Sequence, residues 1–77
     1  MHLYVIFDEV AVECGPPFMA KTNGVALRNF GQFQQKTIAP DDHTLMIVGD
    51  IDVETCVITA CEPRIVMATL ELDENDS

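Results

Sequence analysis

The sequence is poor in positive charge. It has four Lys and Arg residues against thirteen Asp and Glu residues, which gives a formal net charge of −9. An acidic surface repels phosphates over about a Debye length, roughly 8 Å at physiological salt. The composition therefore argues against a protein that contacts nucleic acid over its whole surface. No acid lies between Glu13 and Asp41, however, and Lys21, Arg28 and Lys36 fall in that window. One face remains available for an anion.

Cysteine is also scarce, and its odd number argues against a disulfide framework. Cys14, Cys56 and Cys61 lack the closely paired spacing that structural zinc sites show, although His2 and His43 are further possible ligands. We predict buried thiols that act as small hydrophobic groups, with no metal and no cofactor. The apolar residues 3–7 are too short for a signal sequence, and no run could span a membrane. These absences favour a reducing cytoplasm.

The length of 77 residues predicts one small domain, which we place at residues 1–70. Residues 71–77 form an acidic segment that we expect to be a disordered tail. A chain this short buries only about 60% of its unfolded surface and commonly needs reinforcement. With disulfides and metal disfavoured, we expect a homo-oligomer, most simply a dimer.

The hydrophobic pattern predicts an α+β fold. Residues 3–7 form a strand, residues 10–12 are a possible short return strand, and residues 15–17 (Gly-Pro-Pro) stop the pairing. Residues 44–50, 56–61 and 64–72 are predicted as three further strands, with a hairpin turn at residues 52–55. The result is a β(β)αβββ order, in which a small antiparallel or mixed sheet of about four strands carries one helix on one face.

The helix follows Thr22, which is suited to cap its first turn. Ala26, Phe30 and Phe33 share one face at about 100° per residue, so that Arg28 lies on the opposite face. Gly31 permits a kink or an early end, and Pro40 limits any continuation.

Two acidic groups invite a chemical interpretation. Asp50, Asp52 and Glu54 alternate like half of a calcium loop, but the glycine and the final glutamate of such a loop are missing. Residues 41–43 (Asp-Asp-His) could act in acid–base chemistry, but no nucleophile is placed beside them by a motif. A solvated turn explains each group better. We predict that the protein is not an enzyme.

The candidate nucleic-acid contacts lie on and near the helix. Lys21, Thr22 and the first helical amides could bind an anion, because helix N-termini present free N–H groups. An ordinary capped helix with solvated charges explains them somewhat better. Arg28 and Lys36 would add phosphate contacts. Tyr4 and Phe18 are the aromatic side chains that we keep as candidates for stacking on bases.

The order of these segments resembles a known family. Residues 4–8 (Tyr-Val-Ile-Phe-Asp), 15–30, 40–45 and 49–52 (Gly-Asp-Ile-Asp), followed by Thr55, are similar in order and distance to the small non-structural protein of gokushoviruses, which are microviruses with circular single-stranded DNA genomes. The resemblance covers roughly residues 3–66. A glycine is expected after Thr55 in that family, where a positive φ is convenient, and Cys56 stands there instead.

The resemblance implies a phage protein of the host cytoplasm that acts in DNA replication and packaging and is often described as DNA-binding. Two hypotheses follow. In the first, the protein associates with viral single-stranded DNA through the basic helix face. In the second, it is a homo-oligomeric interaction module whose acidic surface docks on a replication initiator or a procapsid protein.

Overall fold

The computed structural model describes residues 1–66 and has the order β-β-β-α-β-β. All strand pairs are antiparallel, and one helix packs on the sheet, which confirms the α+β class. The elements are β1 (His2–Asp8), β2 (Glu13–Cys14), β3 (Phe18–Ala20), α1 (Asn23–Lys36), β4 (His43–Ile51) and β5 (Ile58–Ile65), with a short 3₁₀ turn at Pro40–Asp42 before β4.

The sheet has the strand order β2-β1-β4-β5, with β3 on the same edge of β1 as β2. Cys14 pairs with Phe7, and Phe18 pairs with Tyr4, so the two short strands lie end to end along β1. The segment between them is the predicted pairing stop at residues 15–17, where neither proline has an N–H to donate. β1 is therefore central, and β5 is the long edge strand.

The prediction of a return strand at residues 10–12 is wrong. These residues form a turn that is organised by Asp8, whose Oδ1 accepts hydrogen bonds from the amides of Val10 and Ala11 at 3.0 Å each. The amide of Val12 donates to the backbone carbonyl of Asp8, and Val12 has a φ of 59°. An aspartate that caps the turn in this way outweighs the β propensity of two valines.

The two strands predicted at residues 56–61 and 64–72 are, within the described residues, one strand. β5 continues through Pro63, and its pairing with β4 shifts between Ile47 and Gly49. Proline is tolerated because β5 is an edge strand. The part of the predicted last strand beyond residue 66, like the predicted acidic tail at residues 71–77, lies outside the described residues.

The helix prediction is confirmed. Thr22 is the N-cap, its hydroxyl accepts a hydrogen bond from the amide of Val25 at 3.2 Å, and α1 runs without a break at Gly31. Its inner face packs on the sheet. The core beneath it consists of Tyr4, Ala20, Ala26, Leu45 and Val66, with Ile6, Phe18, Val25, Leu27, Phe30 and Ile47 packed around them. Phe33 contacts the ring of His43 edge-on, at a centroid distance of 4.9 Å.

The cysteine prediction is wrong in one respect: all three thiols are exposed rather than buried. Cys56 lies in the β4–β5 turn with a φ of 67°, the left-handed conformation expected at the position where the family resemblance calls for glycine. No helix within residues 1–66 is both long and apolar enough to cross a membrane.

Candidate nucleic-acid interface

The start of α1 is fixed to the sheet by one side-chain hydrogen bond. Asn23, the first residue of the helix, accepts a hydrogen bond from the hydroxyl of Tyr4 at 2.7 Å. Thr22 caps the same end of the helix. Its hydroxyl is thus committed to the cap, and an anion at this position would contact the remaining first-turn amides and Lys21.

The cationic side chains of this segment point to solvent. Lys21, Arg28 and Lys36 are all exposed, and within residues 1–66 none of them forms an ion pair with a carboxylate. Lys21 precedes the extended N-cap residue Thr22 and lies outside the helix, which begins at Asn23. Within α1, Arg28 and Lys36 are about 12 Å apart along the axis, at about 1.5 Å of rise per residue, and about 80° apart around it. The three cations are therefore separate exposed charges before the helix, in its middle and at its end.

The two aromatic candidates belong to the core. Tyr4 has no exposed surface, and its ring stacks on Phe18 at a centroid distance of 5.7 Å and an interplanar angle of 25°. Phe18 is half-buried and packs against the core cluster. In this conformation Tyr4 cannot stack on a base, because its ring faces α1 and the core. The exposed site residues are Lys21, Thr22, Arg28 and Lys36, of which the three cations can contact a phosphate through their charge.

Two carboxylates on the helix side of the sheet are each held by a histidine. Nε2 of His43 lies 3.6 Å from Oδ2 of Asp8, and Nδ1 of His43 donates to the backbone carbonyl of Ala39 at 2.9 Å. His2 pairs with Asp50 at the other end of the sheet. Sequence reasoning missed both pairs, because they depend on the β1–β4 register, which aligns Asp8 with His43 and His2 with Asp50.

Asp8 is the ionisable group most clearly affected by the fold. Hydrogen bonds from the backbone amide of Ala11, and to a lesser extent from that of Val10, lower the pKa of Asp8 below its ordinary value, with a further lowering by the nearby His43. Desolvation acts in the opposite direction without reversing the result. The carboxylate stays ionised because both amides stabilise its charged form.

A fourth cation lies on the same side of the sheet as α1. Arg64 is exposed on β5 and pairs with Ile47, whose side chain packs against the core beneath the helix. Since paired residues in a sheet project to the same face, Arg64 projects to the helix side. The sequence alone could not show this, because it depends on the register of β5 after the shift in pairing.

The acidic turn between β4 and β5 has the geometry of a solvated turn. Oδ1 of Asp52 accepts hydrogen bonds from the amides of Glu54 and Thr55, at 2.9 and 3.4 Å, and all three residues are exposed. Within the part of the chain that the structure describes, no three His, Cys, Asp or Glu side chains gather to hold a metal ion. The calcium-loop pattern is accounted for by the turn.

The geometry thus defines a small α+β protein with an exposed basic helix on one side of an antiparallel sheet. Comparison with protein families shows that the chain belongs to the family described as Phage ORF5 protein, which matches residues 1–72. It is therefore a phage protein. No curated protein and no solved structure matches the chain.

Proposed function

We propose that the protein is a non-structural protein of a gokushovirus and that it associates with viral single-stranded DNA when replication gives way to packaging. The observation that supports this most is the outer surface of α1. It exposes Arg28 and Lys36, with Lys21 exposed just before the helix, in a segment that contains no acid. Membership of the phage family agrees with this role, and the order of the sequence segments favours gokushoviruses.

The charge sets a limit on how the strand is bound. Three phosphate contacts correspond to a slope of about −2 when the logarithm of the binding constant is plotted against that of salt concentration. One protomer would therefore bind a single strand weakly. Stable association in the host cytoplasm needs several protomers along the same strand. The role is one of binding rather than catalysis.

The experiment is a salt titration of binding to a labelled oligodeoxythymidine, followed by fluorescence anisotropy from low ionic strength upward. Arg28→Gln removes one of the three cations and should reduce the magnitude of the slope by about 0.7 per protomer. Val53→Glu is the matched control, because Val53 is 60% exposed in the β4–β5 turn and the substitution changes the net charge equally. The control should retain more affinity than Arg28→Gln.

Two outcomes would contradict this function. Wild-type protein that shows no salt-dependent binding at low ionic strength does not bind the strand. Equal losses in Arg28→Gln and Val53→Glu would mean that total charge, rather than the surface of α1, governs binding.

A second candidate function is a protein-interaction module. Asp50, Asp52 and Glu54 are exposed at one end of the sheet, and thirteen acids in a 77-residue chain provide a surface suited to a basic partner. The phage replication initiator or a procapsid protein would be that partner. Co-purification with one of these proteins that is lost in an Asp52→Asn, Glu54→Gln variant would favour this function.

A further inference from the structure

On the face of the sheet opposite α1, none of the residues that pair with a residue of a neighbouring strand has a charged side chain. Residues that pair across strands project to the same side, and sides alternate along a strand. Val5 pairs with Met46, which pairs with Ile65, and Leu3 pairs with Met19. The paired positions on this face are Leu3, Val5, Phe7, Cys14, Met19, Thr44, Met46, Gly49, Ile51, Ile58, Ala60 and Ile65.

A groove of about 510 Å³ opens on this face. Its walls are Val5, Phe7, Cys14, Met46, Val48 and Pro63. None of these side chains is charged, and no helix or strand of the described residues 1–66 packs over it. The rim of the face is also apolar, since Met19 is 50% and Ile65 is 59% exposed at its two edges. Apolar surface of this continuity is typical of an interaction site.

We propose that this face binds a second copy of the same chain, so that two sheets pack face to face with the helices outside. The charge distribution favours this partner. Each chain carries a net charge of −9, and two copies repel each other wherever their carboxylates approach. On the helix side, the register places Asp8 and Asp50. On the opposite face the carboxylate of Glu9 accepts a hydrogen bond from the hydroxyl of Thr44 at one end, and no strand-paired position carries a charge. Two acidic copies therefore bring fewer like charges together there than on the helix side.

The size of the face is compatible with a reversible dimer. Four strand positions at about 4.8 Å, each about seven residues long at about 3.3 Å per residue, give on the order of 450 Å² of projected area. Val5, in the middle of the face, is only 7% exposed in the protomer, so part of this area is already buried. The face therefore falls below the roughly 600 Å² per partner at the lower end of specific interfaces, and we expect a weak dimer. Two such sheets would pack about 10 Å apart, as in a β-sandwich.

The edge of the sheet is a poorer surface for self-association. β5 is the long edge strand, but Pro63 removes an N–H, and the pairing of β5 with β4 is irregular between Ala60 and Arg64. A proline and a bulge are features that natural edge strands use against strand addition. The other edge is divided between β2 and β3 by residues 15–17. Packing through the face is therefore favoured over continuation of the sheet.

The experiment measures self-association by sedimentation equilibrium over a range of concentrations. Ile65→Glu and Met19→Glu each place a carboxylate on the face, at a position exposed in the protomer, and each should weaken dimerisation by about tenfold or more. Gln35→Glu is the matched control. It adds the same charge on the exposed side of α1 and should change the dissociation constant by no more than about twofold. Circular dichroism melts of dilute protein show whether each protomer remains folded.

A second measurement uses the unmodified chain. Cys14 lines the groove, whereas Cys56 lies in the β4–β5 turn. The alkylation rate of Cys14, followed by mass spectrometry, should fall as protein concentration rises, while the rate of Cys56 stays constant. A monomer at high micromolar concentration overturns the proposal, and so does equal weakening of the dimer by all three variants. Neither result bears on binding of DNA by α1, which the salt titration tests separately.

Discussion

The hydroxyl of Tyr4 and the side-chain oxygen of Asn23 are joined by a 2.7 Å hydrogen bond that links the central strand to the first residue of the helix. Tyr4 is also one of the two largest fully buried side chains, the other being Leu45. The position of the basic helix on the sheet thus depends on a contact at the point where the helix begins.

Tyr4→Phe should retain the packing of the ring and remove this hydrogen bond. We expect the free energy of unfolding to fall by about 1 kcal/mol, because the oxygen of Asn23 loses a donor in a partly buried position. For a domain of this size, the loss corresponds to a decrease of about 4–8 °C in the melting temperature. Thermal and urea denaturation of Tyr4→Phe, Asn23→Ala and the double variant give the coupling between the two side chains. Additive effects would show that the hydrogen bond contributes nothing.

Gly49→Ala should destabilise the sheet. A Cβ at Gly49 would lie 2.6 Å from the backbone oxygen of Thr59 and 3.2 Å from Cα of Ala60. Both contacts are with backbone, so β4 and β5 would have to separate, and we expect a cost of about 1–3 kcal/mol.

Gly31→Ala is the matched control for this substitution. A Cβ at Gly31 has no atom within 4 Å among those compared, and the residue lies inside α1. Alanine there should stabilise the protein by about 0.5–1 kcal/mol, since it restricts the unfolded chain. Urea melts of both variants should therefore shift in opposite directions, and a loss of stability in Gly31→Ala would contradict the uninterrupted helix.

The interactions of Asp8 predict an acid-sensitive contribution to stability. Its pKa is lowered in the folded state, chiefly by the amide of Ala11. The stabilisation is therefore complete above the ordinary carboxyl pKa, about 3.9, and is lost as the pH falls through the lower folded value. Asp8→Asn should be less stable than wild type at neutral pH, and the difference should shrink below about pH 4. Denaturant melts at several pH values measure this difference, and a gap that stays constant down to pH 2 would exclude the mechanism.

The exposed thiols predict rapid modification without unfolding. Cys14, Cys56 and Cys61 should all react with a chromogenic disulfide reagent in dilute native protein. The melting temperature should be the same with a reductant or a chelator as without either, because neither a disulfide nor zinc is expected to hold the fold. Stoichiometric zinc in the purified protein, or a fall in melting temperature on chelation, would count against this.

The helix could be predicted closely because its signals are local. Thr22 supplies a cap, Ala26 and Phe30 supply the inner face, and Pro40 limits the end. The central strands could be predicted equally well, since residues 3–7 and 45–48 are continuous apolar runs of the kind that a buried strand requires. Exposure of Arg28 followed from the same helical period.

Other features depend on tertiary position and could not be predicted from the sequence. Pro63 suggests a break between two strands, and only the edge position of β5 allows one strand to pass through it. The thiols were predicted to be buried from their residue type, although Cys14 and Cys61 lie in edge strands and Cys56 in a turn. The histidine–aspartate pairs require a register that no single segment encodes.

Because α1 lies on one side of the sheet, a dimer would have two separate surfaces that can contact DNA. If two sheets pack through their uncharged faces, the two helices lie at opposite poles of the dimer. Each dimer then presents two separate groups of helix cations, one at each pole. A single short strand could not occupy both at once, so the dimer would connect distant parts of a circular genome or two different strands. Several such dimers along one strand would then also cross-bridge it to another strand, so that the protein gathers the single-stranded DNA that it lines.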